Sequence, residues 1–243
     1  MEGYLVALGL ALLPALGNLV GGLLAELVPV SEELLSYALH AATGVVLAVV
    51  GLELMPEALD VSRPWLPILA FVLGSGFFLL ADRAIDTVNA RFGRSEEDTG
   101  PWAIYFGVSM DLLTDGIMIG TGSLIASSLG FVLALGQVPA DIPEGFAAVA
   151  TLRDRGIPRA KRLLFSAAFA APILIGVTIG YWLVRGRGEL LQGSLLAFTG
   201  GVLATVIVEE LVPEAHRAGG ARLAALVTAA GFALFASVSA YVG

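Results

Sequence analysis

Four carboxylates lie in two otherwise apolar stretches of this chain, at spacings that place each pair on one face of a helix. Asp111 and Asp115 are four residues apart, and Asp141 and Glu144 are three apart within VPADIPEGFAAV, residues 138–149. Side chains three or four positions apart project from the same side of an α-helix. If the two helices face each other, four carboxylates meet. Such a cluster predicts either a bound cation or carboxyls that are held protonated by burial and by like charge.

Other polar side chains are positioned to complete a cation site. Gln137 lies four residues before Asp141 on the same helix face, and Thr114 lies directly before Asp115. Met118 lies below Asp111 and Asp115 on the same helix face, where we expect it in the path of the ion. Pro143 removes one backbone N–H and so frees a carbonyl that can also point toward a cation.

The available ligand atoms are almost all oxygen. The chain has no cysteine, and its only histidines, His40 and His216, fall near the ends of apolar stretches, where we interpret them as interfacial residues. Carboxylate and amide oxygens suit harder divalent ions such as Mn²⁺, Mg²⁺ or Fe²⁺.

The composition indicates a membrane protein, in which buried carboxylates are costly. Of 243 residues, 57% are hydrophobic and only 14% are charged, whereas about 25% charged residues are usual in soluble domains. A charged carboxylate at the bilayer centre costs roughly 3 kcal/mol or more, so such residues usually have a function. The net charge of −8 excludes nucleic acid as a natural partner, because binding it needs clustered positive charge.

Apolar runs of about 20 residues, long enough to cross a bilayer, occur eight times. We therefore predict one all-α transmembrane domain over residues 1–243, with a polar connection at 86–100 and no cleaved signal peptide. The predicted spans cover residues 4–24, 37–54, 66–84, 102–125, 129–152, 163–184, 190–211 and 222–241.

The basic residues are distributed unequally between the two sides of this topology. The loops after spans one, three, five and seven hold ten arginines and lysines, and the opposite loops hold three. Because cytoplasmic loops are enriched in positive charge, both termini are predicted to lie outside the cytoplasm, in a cell (inner) membrane.

Two spans resemble each other although they cross the membrane in opposite directions. GVVLAVVGLELMPEA (44–58) and GVLATVIVEELVPEA (201–215) are identical at eight of fifteen positions at an offset of 157. TDGIMI (114–119) and PEGFAA (143–148) align at an offset of 29. These matches predict a 3+2+3 inverted repeat around spans four and five, the architecture that places a transport site near the midplane.

The repeat also carries acids at related positions. Glu53 in span two matches Glu210 in span seven, and Glu209 precedes the latter. We expect these three residues in the permeation path, and an interfacial position at helix ends is the alternative.

The motifs together resemble the ZIP (Zrt/Irt-like) divalent metal transporters, over essentially the whole chain. D-I-P-E-G in span five and V-E-E-L-V-P-E-A in span seven carry the resemblance. The family's span four typically reads H-N-x-P-E-G, and its metal-binding His and Glu correspond to Asp111 and Asp115. Asp141 and Glu144 match the span-five ligands, and the resemblance implies that Glu144 bridges two metals where both sites exist.

The departures from the family pattern imply a reduced site. Leu112 replaces the family's span-four Asn, and Ala140 replaces the His or Gln that opens the span-five motif. We therefore expect one principal, all-oxygen site, completed by Gln137, Thr114 or water. This puts a zinc preference in question without excluding it, because carboxylates also bind Zn²⁺.

The resemblance implies a transporter, and not an enzyme, that imports divalent ions by movement of spans one, four, five and six against the others. Its substrates are expected to be Zn²⁺, Mn²⁺ or Fe²⁺, with Cd²⁺ as a further candidate. No organic cofactor is expected, the lipid bilayer is the natural partner, and a homodimer is one expected assembly. An intramembrane metalloenzyme and a non-transporting metal sensor are the alternatives.

Overall fold

The computed structural model describes residues 2–28, 31–91, 101–218 and 223–242, and every regular element in these ranges is helical. This confirms the all-α fold class. We number eight long helical segments within the described ranges. They are α1 (Glu2–Leu27), α2 (Glu32–Leu59), α3 (Trp65–Arg91), α4 (Pro101–Ile125), α5 (Ser127–Asp154), α6 (Arg159–Val184), α7 (Glu189–Arg217) and α8 (Ala224–Val242).

Seven of the described helices are long and apolar enough to cross a membrane, and α5 is not among them. Helix α5 forms where the fifth span was predicted, but it contains Pro139, Pro143 and three acids, which lower its apolar character. Half of its residues are buried among the other helices. It therefore depends on protein neighbours for its environment more than α3 or α8, whose most apolar segments are only 11% buried.

Several helices are longer than the apolar runs predicted. Helix α3 continues to Arg91 and takes up the first part of the predicted polar connection, while residues 92–100 lie outside the described residues. Helix α2 begins at Glu32, because the Ser31 hydroxyl accepts a hydrogen bond from the Leu34 amide and caps the helix. Hydropathy does not detect such polar first turns.

Helices α2 and α7 each widen into a π-helical segment at Val49–Leu54 and Ile207–Leu211. A proline follows each segment closely, Pro56 in α2 and Pro213 in α7. Proline has no N–H to donate to the preceding turn, and helices often accommodate such a lost bond by local rearrangement. Shifted by the offset of 157, the two segments overlap, so the repeated sequence is matched by a repeated backbone irregularity.

The helices pack in two groups. Helix α1 packs on α5 and α4 on α6, with α4 also against α5, whereas α3 packs on α7 and α8 on α2. The groups meet where α2 contacts α5 and α7 contacts α4. We call α1, α4, α5 and α6 the first bundle, and α2, α3, α7 and α8 the second bundle.

Glycines let the helices of the second bundle approach closely, and they do so in matched pairs. A Cβ on Gly44 would lie 1.9 Å from the Thr228 carbonyl oxygen, and one on Gly201 would lie 2.0 Å from that of Phe71. The repeat offset of 157 relates these two contacts, because Gly44 corresponds to Gly201 and Phe71 corresponds to Thr228. Gly74 against Phe198 and Gly231 against Ala41 repeat the relation.

An ionic contact fastens the end of α1 to the start of α6. The Glu26 side chain is only 4% exposed, and its carboxylate accepts two hydrogen bonds from the Arg162 guanidinium, one of them 2.8 Å long from Nη2. Arg159 lies 3.5 Å away but is largely exposed. Arg162 is therefore the main counter-charge of a buried carboxylate.

Replacing Arg162 by Ala is expected to destabilise the protein by about 2 kcal/mol, because hydrogen bonds to charged groups contribute roughly 1.5–3 kcal/mol. The adjacent, exposed Lys161 provides the matched control, K161A. Thermal unfolding in detergent micelles measures the difference. Equal melting temperatures for R162A and K161A would show that the Glu26 contact contributes nothing.

Candidate metal centre

The polar faces of α4 and α5 meet in the interior. Asp115, Gln137 and Asp141 are each only 1% exposed. The Gln137 side-chain amide donates a short hydrogen bond to an oxygen of Asp115. Sequence spacing placed each residue on a helix face, and this bond joins the two faces.

A small cavity of about 40 Å³ lies beside this contact. Its polar lining comes from Asp111 on α4, Gln137 and Glu144 on α5, and Glu210 on α7. Apolar side chains from α2 and α7 complete the wall, together with Ala140. A space of this size exceeds what one water molecule requires, and it therefore admits an ion with little accompanying solvent.

The electrostatics of this region favour a cation. Glu144 is within electrostatic range of Asp111, Asp141, Glu210 and Asp115, and all four are acidic. Within the described part of the chain, no basic side chain forms a salt bridge with Glu144 or with any of these four acids. Concentrated negative charge in a low-dielectric interior is relieved by a positive ion or by protons.

Several oxygen atoms in this region are also left without a hydrogen-bond donor. Both carboxylate oxygens of Asp141, one of Asp111 and the amide oxygen of Gln137 are buried and have no partner among the described residues. Buried acceptors normally find a donor, so each exception needs an explanation. Oxygen acceptors beside an acidic cavity match the ligand chemistry of hard divalent cations.

The side chains surround the cavity but do not converge on one point. Among the described residues, no three His, Asp or Glu side chains are grouped closely enough to hold a metal ion as they stand. Ligation therefore requires rotation of these side chains, and the Gln137–Asp115 bond is the contact that such a rotation would release.

Thr114 and Met118 occupy different surroundings. The Thr114 hydroxyl donates to the Met110 carbonyl at 3.0 Å, and the residue lines a second cavity of about 50 Å³ with Asp111 and Glu210. Its oxygen keeps lone pairs for a cation. Met118 is fully buried in the apolar core.

Glu53 and Glu210, which the sequence repeat relates, have unlike environments. The Ser239 hydroxyl donates a short hydrogen bond to Glu53, on the α8 side of α2. Glu209 and Glu210 instead line an open cavity of about 280 Å³ that also includes Glu144. Because Glu144 and Glu210 line both this cavity and the 40 Å³ one, the buried space continues toward the C-terminal end of α7.

Sequence reasoning missed two residues of this region, Asp82 and Asn18. Asp82 of α3 lines the 50 Å³ cavity with Asp111 and Glu210, and it interacts electrostatically with Glu210. The repeat could have indicated it, because the offset of 157 pairs Asp82 with Ser239, the partner of Glu53. Asp82 and Glu210 are thus related to each other through the repeat as Ser239 and Glu53 are.

Asn18 of α1 is fully buried, and neither polar atom of its amide has a partner among the described residues. Its backbone lies against Gly145, the residue after Glu144. A buried amide beside the acids adds a further oxygen to the region. No spacing rule in the sequence relates α1 to α5, so only the packing reveals it.

The helical fold, the apolar spans and the acidic cavity define a polytopic membrane protein suited to binding a cation in its interior. The sequence model of the ZIP zinc transporter family matches residues 94–239, which include α4 to α7 and most of α8. The match covers more than half of the chain, and the protein belongs to the ZIP zinc transporter family. A search of curated proteins found no match. Membership confirms the resemblance inferred from D-I-P-E-G and E-E-L-V-P-E, and it identifies a multi-pass membrane transporter of divalent metal ions.

Proposed function

We propose that this protein imports divalent metal ions toward the cytoplasm through a carboxylate site between α4 and α5. The observation that carries the proposal is the shared lining of two cavities by Glu144 and Glu210. One cavity is buried beside Asp111 and Gln137, and the other is open at the end of α7. An ion held at the first has an acidic route to the second.

The proposed ligand set comprises oxygen donors only. Asp111, Asp115, Asp141 and Glu144 supply carboxylates, and Gln137 and Thr114 supply neutral oxygens. Such a set suits Mn²⁺ and Fe²⁺ and also admits Zn²⁺ or Cd²⁺. Glu209 and Glu210 would receive the ion along the open cavity, while Glu53 and Met118 are proposed to contact it in another conformation.

Uptake into proteoliposomes tests the function. Purified protein is reconstituted, an inward gradient of Mn²⁺, Zn²⁺, Fe²⁺ or Cd²⁺ is applied, and accumulated metal is counted against protein-free vesicles. We expect saturable uptake of at least one of these ions without ATP. Uptake no faster than in protein-free vesicles for all four would contradict the proposal.

We further propose that the single domain is a 3+2+3 inverted repeat. The matched glycine contacts in the second bundle and the overlapping π-helical segments support it. Corresponding contacts recur in the first bundle, where Gly21 meets the Ile142 carbonyl as Gly176 meets that of Leu113. Inverted repeats supply two related conformations, and so support alternating access.

The two bundles are the natural moving parts. Contacts within each bundle are close and built on glycines, whereas the groups meet mainly along α2–α5 and α4–α7. The carboxylates of α4 and α5 belong to the first bundle, and Glu210 belongs to the second. Sliding of one bundle past the other would carry the ion from one side of the membrane to the other.

Orientation is testable because the chain has no cysteine to give background labelling. Asp154, the last residue of α5, and Arg187, before α7, are both exposed. The excess of basic residues predicts that R187C in intact cells reacts with a membrane-impermeant maleimide, while D154C reacts only after permeabilisation. The reverse labelling pattern would place the termini in the cytoplasm.

A further inference from the structure

The two histidines of the chain lie in contact, although they come from different helices. His40 of α2 and His216 of α7 have ring centroids 5.1 Å apart, with the ring planes at 81°. The sequence suggested two separate interfacial residues. That interpretation is wrong for His40, which is only 4% exposed, more than two turns inside α2.

His40 presents a buried nitrogen that lacks a partner. Its Nε2 atom is inaccessible to solvent and makes no hydrogen bond to any described residue. A buried polar atom left unpaired costs about 1–3 kcal/mol. A packing role alone does not account for this cost, because an apolar ring would fill the same space.

His216 is held in the form that binds metals. Its Nδ1 atom lies 2.7 Å from the Val212 carbonyl oxygen. A carbonyl can only accept, so Nδ1 carries the hydrogen, and Nε2 of the neutral ring is left with its lone pair. A backbone carbonyl bonded to one ring nitrogen is the usual support for a histidine that ligates through the other.

Both rings line one groove, of about 790 Å³, formed by α2, α7 and α8. Thr43 and Thr228 are the other polar residues of its lining, and the rest is apolar. The carboxylate cavities have no lining residue in common with it. The groove is therefore separate from the proposed route of the transported ion.

From these contacts we propose that His40 and His216 form a second metal site, which binds a borderline transition metal ion such as Zn²⁺, Ni²⁺, Co²⁺ or Cu²⁺. Two imidazole nitrogens favour these ions over Mn²⁺ and Mg²⁺. Water would complete the coordination, because the Thr43 hydroxyl donates to the Leu39 carbonyl oxygen at 2.8 Å. A bound ion would link α2 to α7 within the second bundle and leave the first bundle free to move.

Electron paramagnetic resonance with Cu²⁺ tests the site directly, because no other imidazole exists in the chain. The protein must carry a purification tag without histidine. We expect coupling to two imidazole nitrogens in the wild type, coupling to one in H216F, and none in H40F/H216F. Phenylalanine keeps the ring contact and removes the nitrogens, and the exposed position of His216 makes H216F tolerable to the fold.

Metal stoichiometry provides the second measurement. Wild-type protein should bind one more Zn²⁺ or Ni²⁺ per chain than H40F/H216F, while Mn²⁺ stoichiometry should be the same in both. T43A, altered in the same groove but with both rings kept, should match the wild type. Absence of imidazole coupling in the wild type, or equal Zn²⁺ stoichiometry in wild type and double variant, would overturn the proposal. Neither outcome depends on whether the carboxylate site transports.

Discussion

Replacing Glu144 by Ala is expected to lower metal uptake in proteoliposomes by about 100-fold or more. Loss of a residue that only supports a metal ligand typically costs 10–100-fold, and a ligand that joins two cavities should cost at least the upper end of that range. Glu144 lines both the buried cavity and the open one, and it lies within range of four other acids. On the proposed route, its removal would affect both the holding of the ion and its release.

Two further variants show whether the loss of uptake in E144A comes from the missing charge, from the missing side-chain volume, or from removing any carboxylate of the protein. E144Q keeps the size and one oxygen ligand but removes the charge, so its uptake should fall between wild type and E144A. E33A removes a carboxylate from the exposed first turn of α2, and it should transport as the wild type does. The initial rates of Mn²⁺, Zn²⁺ and Fe²⁺ uptake, at matched protein density, are the measurement. Unchanged uptake of every metal by E144A would remove Glu144 from the proposed path.

The sequence predicted eight spans, and seven of the described helices are long and apolar enough to cross a bilayer, because apolar runs of that length leave few alternatives. Errors occurred at helix ends, where local bonds extend a helix beyond its apolar run. Ser31 caps α2, whose first residue lies five positions before the predicted start, and α3 continues into a polar segment. Hydropathy measures lipid exposure, whereas helix bounds also depend on backbone hydrogen bonds.

For the candidate site, the sequence predicted which residues share a face of one helix, but not which helices contact each other. Spacing placed Asp111 with Asp115 and Asp141 with Glu144, because helix geometry is local. It could not indicate that Gln137 bonds Asp115, or that Asp82 joins the same region, because those contacts depend on which helices become neighbours.

Related sequence positions also need not share one environment. Glu53 and Glu210 occupy equivalent positions in the sequence repeat. Glu53 nevertheless accepts a hydrogen bond from Ser239, whereas Glu210 lines two cavities that include Glu144. A transporter built from inverted repeats is asymmetric in any single conformation, since the two halves exchange arrangements between states. If the chain is the inverted repeat proposed above, the sequence encodes both arrangements and the structure describes one of them.

The second large effect is expected at Gly21, whose replacement by Ala should lower the melting temperature by about 5 °C or more. A Cβ there would lie 1.9 Å from the Ile142 carbonyl oxygen, a backbone atom that cannot rotate away. Overpacking typically costs 1–3 kcal/mol, and 1 kcal/mol corresponds to roughly 2–4 °C in a protein of this size. Separation of α1 from α5 would also move the turn that carries Asp141 and Glu144.

Helix α1 supplies its own control. Gly9 is exposed, and a Cβ there would meet nothing within 4 Å, so G9A should leave the melting temperature unchanged or raise it, because Ala is the better helix former. If the two halves are related as proposed, G176A should resemble G21A, since its Cβ would lie 2.2 Å from the Leu113 carbonyl oxygen. Thermal unfolding of the three variants in one detergent measures both points. A lower melting temperature for G21A together with an unchanged or higher one for G9A would show that close backbone contact, and not loss of glycine as such, sets the stability of the first bundle. Equal shifts in melting temperature for the two variants would contradict this.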